Sequence, residues 1–193
     1  MGYFNNRDLA AITLCAALWG VLNAFFSPIF FRMFSLPILC DLIGFTVLTI
    51  SVWWTRKLGA TTMVGIVATL INFTFNPGGV QFLGFTVASV VFDVAAKLLG
   101  YRKSFSNPAF TMIIMGSIST LSAAIAGLII GKFFMAAPML ASWGGVLGWA
   151  ALHAIGGVIG GVIGASLVVA LNSRGILVET KSQETKAAPT EKT

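Results

Sequence analysis

Charge is what this chain lacks most. Asp, Glu, Lys and Arg make up 9% of its 193 residues, where an ordinary soluble domain carries about 25%. Mean hydropathy is +0.92. Such a chain belongs in lipid, where every backbone amide must be bonded internally and spanning segments are therefore helices or a closed barrel. Cysteine is scarce as well. Cys15 and Cys40 are too few for a disulfide framework or a metal knuckle, and both lie in or beside apolar runs, so they read as small buried residues. Enzyme signatures are missing: no nucleophile motif with a histidine partner, no HExxH, no acid pair at metal spacing and no Walker loop. A membrane enzyme is thus disfavoured, and any use of ATP must come from partners.

What remains is a series of six apolar runs, Leu9–Phe26, Pro37–Trp54, Gly59–Phe75, Gly79–Leu99, Pro108–Gly131 and Ala141–Leu171. They exceed strand length and lack the alternation of barrel strands, so they predict helices. The fold class expected is all-α and integral to the membrane: a six-helix transmembrane bundle over residues 1–172, followed by a polar, disordered cytoplasmic tail over 173–193. The first run is read as a retained span, being longer than a signal-peptide core. The last is too long for one upright span, so it starts as a loop or interfacial stretch, or it tilts. Between the first two runs lies an apolar, aromatic connection, Ser27–Leu36. Asn76–Gly79 reads as a tight NPGG turn.

Basic residues are distributed unevenly. With the N-terminus in the cytoplasm, that side holds Arg7, Arg56, Lys57, Arg102, Lys103, Arg174 and the three tail lysines, nine in all, and the outer side holds Arg32 and Lys132, leaving out Lys97, which lies inside a run near its cytoplasmic end. The positive-inside rule then places both termini in the cytoplasm of a multi-pass protein of the cell membrane, and explains the +6 net charge without nucleic acid.

Polar side chains at membrane depth are costly and are functional candidates by default. Asn23, Asp41, Asn72, Asn76 and Gln81 fall near the outer ends of their runs, and His153 in the outer half or middle of the last. They predict an outward-facing pocket beneath the aromatic connection. Asp41 either contacts a cationic or amino-bearing ligand or caps the second helix. Asn72 and Asn76, four apart, share a face if the helix continues that far. Asn76 also suits the turn. Gln81 either bonds a heterocycle or is a solvated helix start. Trp149 and His153 share a face and offer stacking and hydrogen bonding to a flat ligand. Trp143 joins them by its outer position. Asp93 and Lys97, also four apart, are expected to pair. Glycines recur every four residues at Gly156, Gly160 and Gly164 and at Gly157 and Gly161, which predicts close helix packing within the bundle. Ala11, Cys15 and Ala16 form a thinner small-residue stripe, expected to be exposed and to dock another helix.

The layout resembles the substrate-binding S component of an energy-coupling factor (ECF) vitamin transporter over about Leu9 to Leu171. Within that family, the RKxGA start and NPxG turn, carried here by Arg56, Lys57, Gly59, Ala60, Asn76, Pro77 and Gly79, look most like the branch for hydroxymethylpyrimidine and thiamine-related compounds. The resemblance implies capture of a vitamin or precursor at the outer face, no cofactor bound by this chain, and delivery inward by toppling, energised by a T component and two ATPase subunits. The competing expectations are an autonomous secondary carrier or channel, and an assembly protein that binds no small molecule.

Overall fold

The computed structural model describes residues 3–176 and shows no strand among them. The helices are α1 (Asn6–Phe34), α2 (Ile38–Thr55), α3 (Ala60–Phe75), α4 (Phe82–Leu99), α5 (Tyr101–Ser104), α6 (Pro108–Phe133), α7 (Ala137–Ser142) and α8 (Gly145–Ser173). Five of them, α1, α2, α4, α6 and α8, are long and apolar enough to cross a membrane. The apolar α3 has 16 residues, about 24 Å at the helical rise. The outer surface between the helix ends is apolar, with Leu14, Leu70, Val87, Ile113, Leu121 and Ile159 exposed. Lipid accommodates such a surface and water does not. The tail expected to be disordered from residue 173 lies almost wholly outside the described residues.

The first helix is longer than the hydrophobic pattern predicts. The stretch read as an aromatic connection continues α1 through Pro28 to Phe34 and stops at Ser35, which takes a left-handed φ of 55° with its N–H on the Phe31 carbonyl. Proline has no N–H to bond the carbonyl four residues back, but its ring holds φ near the helical value. Unwinding the segment near lipid would free many more amides. The last run behaves as expected of an overlong segment. Residues 137–142 form the short α7, and the spanning helix starts only at Gly145, which with its N-cap Gly144 takes a positive φ.

Glycine sets the tightest packing. Helices α6 and α8 lie antiparallel, and α8 runs beside α2. A Cβ on Gly157 would sit 2.4 Å from the Ala123 Cβ and 2.7 Å from the Ser119 carbonyl. One on Gly160 would sit 2.8 Å from the Leu42 carbonyl, and one on Gly161 2.7 Å from the Met115 carbonyl. Backbones in contact gain dispersion energy without needing a hydrophobic drive that lipid cannot supply. Both glycine series therefore serve packing within the chain, α8 against α2 on one face and α6 on the other.

The end of the bundle that carries the N-terminus is held by paired polar groups. Asn5 and Asp8 form a reciprocal capping box at the start of α1, and Lys57 bonds both Asp8 and the Tyr3 carbonyl. Asp93 is buried in α4, and its Oδ2 accepts from the Gly59 N–H at 2.8 Å, the Thr62 N–H at 3.0 Å and the Thr62 hydroxyl at 2.9 Å. It thus caps α3 from a neighbouring helix. This replaces the expected pairing with Lys97, which is exposed and lies 5.8 Å over the Tyr101 ring. Buried N–H groups at a helix start have no alternative acceptor, whereas an exposed ammonium has water. Burial, and secondly Asp93, push the Tyr101 hydroxyl well above its ordinary pKa.

Candidate functional site

The opposite end of the bundle holds a cavity of about 190 Å³. The end of α1 supplies Ser27, Pro28, Phe31 and Arg32, and the α1–α2 corner supplies Leu36, Pro37, Leu39 and Cys40. Asn76, Gln81, Phe82 and Phe85 enter from the α3–α4 side, with Ile130 and Met135 from α6 and its exit and Trp149 and His153 from α8. The walls are mostly apolar and aromatic, the composition of sites for small organic molecules. Phe31 and Trp149 meet edge to face at 6.2 Å, Trp149 and His153 at 5.6 Å, and Phe85 lies 5.7 Å from His153.

His153 is held from behind. Its Nδ1 lies 3.0 Å from Asp41 Oδ1 and 2.9 Å from Oδ2, and both residues are buried. The hydrogen bond is to Oδ1, and Oδ2 has no bond of its own. With Asp41 ionised, Nδ1 carries the proton and donates it, so in the neutral ring Nε2 is the acceptor. That Nε2 has no partner, nor does the obligate donor Nε1 of Trp149. Each unpaired buried group of this kind costs about 1–3 kcal/mol, which a ligand of complementary chemistry would relieve. The close approach that makes the dyad depends on Gly156, where a Cβ would lie 2.6 Å from the Asp41 Cβ.

Of the seven predicted binding residues, Asn76, Gln81, Trp149 and His153 line the cavity. Asp41 is not in the wall. Its carboxylate meets the wall through His153, a contact across helices and not the cap of α2 that was the other expectation. Asn72 is 1% exposed and lies near Gly79, where a Cβ would be 3.1 Å from its Nδ2, and neither of its amide atoms has a partner. Trp143 packs on the core at the end of α7, away from the cavity wall. Its carbonyl occupies the space a side chain on Gly148 would need.

The stripe expected to dock a partner is turned inward. Ala11, Cys15 and Ala16 are 0%, 5% and 0% exposed, on a helix that packs against α2 and α3. Gly20, one turn beyond Ala16, would place a Cβ 2.8 Å from the Ile71 Cβ. Small residues let α1 approach its own bundle, and an outside helix cannot reach them there. The Ser27–Leu36 stretch expected over the pocket does supply wall residues, Phe31 among them, though sequence reasoning did not single Phe31 out, and it missed Phe82 and Phe85, which look like any lipid-facing phenylalanine until the helices are assembled. It also passed over Arg32 in the last turn of α1, the one permanently charged side chain in the wall. Among the described residues, Cys40, Asp41 and His153 place donor atoms within 4.8 Å of one another, the arrangement that best fits a metal ion.

No protein-family model, curated protein or solved structure matches this chain.

Proposed function

We propose that the protein is the membrane-embedded substrate-binding subunit of an ECF-type importer, taking up a vitamin or vitamin precursor, with a hydroxymethylpyrimidine or thiamine-related compound as the first candidate. In this reading α3 is the sixth span, both termini are cytoplasmic, and a T component with two ATPases supplies the energy. The observation that carries the reading is the aromatic-walled cavity at one end of the bundle, with His153 in its wall and the basic residues Arg7, Arg56, Lys57, Arg102 and Lys103 at the other end. By the positive-inside bias the cavity then opens outward. Phe31, Phe85 and Trp149 suit the faces of a flat heterocycle, while the unpaired nitrogens of Trp149 and His153 suit its polar edge.

Calorimetry on the purified protein, with hydroxymethylpyrimidine, thiamine and the other B vitamins as titrants, tests this. Dissociation constants in the nanomolar class are expected, and failure of all of them to bind below ~10 μM rejects the reading. The buried Asp41–His153 pair favours one rival, a proton-coupled secondary carrier, because intramembrane carboxylate–histidine pairs serve as proton relays. Uptake by the protein alone in liposomes under a proton gradient, abolished by Asp41→Asn, would establish the rival.

A further inference from the structure

The Asp41–His153 contact leaves two facts unexplained. The carboxylate is fully buried and yet one of its oxygens, Oδ2, receives no hydrogen bond. The thiol of Cys40, the next residue along α2, also lies in the cavity wall beside the pair. A thiol, a carboxylate and an imidazole thus converge from two helices in a region otherwise lined by aromatic and aliphatic groups. The structure assigns these three side chains to a binding site for a borderline divalent cation of the Zn(II) type, with its fourth position open to the cavity.

The donor set fits that class. Thiolate and imidazole favour Zn(II) and its neighbours over Mg(II) or Ca(II), and three protein ligands with a fourth position left to water or a bound molecule are the usual form of an open zinc site. Bonds of about 2.0–2.3 Å to a tetrahedral ion put donors roughly 3.5 Å apart. The His153–Asp41 spacing of 2.9–3.0 Å must therefore open slightly, and the donors, all within 4.8 Å, must draw together. Side-chain rotation suffices, since Cys40 is tied only to the Pro37 carbonyl one turn back.

Charge balance also favours it. A divalent ion, a neutral thiol, a carboxylate and a neutral imidazole carry a net +1 before binding. Loss of the thiol proton leaves a metal complex of zero net charge and one proton for solvent. A neutral complex avoids the cost of an uncompensated charge at membrane depth. Cys40 and His153 both face the cavity, which is the route by which the ion enters and the proton leaves. Water or a donor atom of a captured molecule completes the coordination.

The test uses the full chain in detergent, stripped with a chelator and titrated with Co(II) as a spectroscopic probe and then with Zn(II). One equivalent of Co(II) is expected to produce a thiolate-to-cobalt charge-transfer band in the near ultraviolet, which Zn(II) displaces. Cys40→Ser abolishes the band, Cys15→Ser retains it, and Asp41→Asn weakens binding by about 10–100-fold. Binding tightens by about tenfold per pH unit, for one proton released. Absence of the band in the wild-type protein, or a band that survives Cys40→Ser, overturns the assignment. Cys40→Ser is nearly isosteric, so loss of the band there reports the ligand and not the fold. The readout is the metal alone, so this site and the capture of a vitamin stand or fall separately.

Discussion

The two ends of the bundle treat their buried side-chain nitrogens in opposite ways. At the basic end Asp93 Oδ2 takes three donors and closes the start of α3, Asp8 is shared by Asn5 and Lys57, and Trp53 Nε1 donates to Asn172. At the cavity end Trp149 Nε1, His153 Nε2, Asn23 Nδ2 and both amide atoms of Asn72 have no partner. One end uses its polarity to fix helix termini. Its unpartnered buried groups are oxygens, Asp93 Oδ1 and the hydroxyls of Ser51, Thr61 and Tyr101, whereas every unpartnered buried side-chain nitrogen among the described residues lies in the cavity half. A protein that only needed to be stable would replace those nitrogens with apolar groups at little cost, so their retention accords with the proposed capture of a ligand at that end.

The largest effect should come from the seam the two ends share. Gly157→Leu drives a side chain into Ala123 and the Ser119 backbone and should cost about 3 kcal/mol or more, read as a fall in thermal unfolding temperature in detergent. An unchanged transition would mean that the seam is looser than its distances imply. Next, Asp93→Ala strands the Gly59 and Thr62 amides and should cost about 2–3 kcal/mol. Its effect should be on stability, with affinity at the far cavity intact. A matching loss of affinity would erase the distinction between the ends. Trp149→Phe, which keeps an aromatic ring in the core and removes the unpaired Nε1, should do the reverse, weakening ligand binding by at least about tenfold, or 1.4 kcal/mol, in calorimetry with the fold retained. Asn72→Leu sharpens the contrast further. Removing an amide with neither atom bonded should change stability by less than about 1 kcal/mol or raise it, and a large loss would show that Asn72 is bonded after all.

The smallest effect concerns pH at the basic end. Burial raises the Tyr101 pKa above its ordinary value of 10.0. A group whose pKa is raised by folding stabilises the fold fully below the unfolded value and loses that contribution as pH climbs through the folded one. Stability should therefore decline from about pH 10 upward, and Tyr101→Phe should flatten that part of the profile. An identical slope in the variant would assign the decline to other groups.

Much of this was legible from composition and periodicity. Membrane helices follow from apolar length, and glycine spacing four apart in α8 follows through to contacts with α2 and α6, because both depend on local pattern alone. Trp149 and His153 were found for the same reason: four residues apart on a helix means one face. Asp41 was noticed for its charge, but its role depends on a histidine 112 positions away, which no local pattern encodes. The Ser27–Leu36 stretch misled, since it read as a connection whereas α1 continues through Pro28 to Phe34 and keeps the amides of the segment bonded. The stripe of Ala11, Cys15 and Ala16 also misled. Small-residue spacing says that a close neighbour exists and not whether that neighbour belongs to the same chain.

The glycine seam has a mechanical corollary. Where main chains touch directly there are no rotamers to exchange and little slack to take up, so α2, α6 and α8 should respond to force as a single slab. Gly84 ties the start of α4 to α6 in the same way, so any breathing that lets a solute in or out must come from the distal end of α1, swinging against a stationary spine.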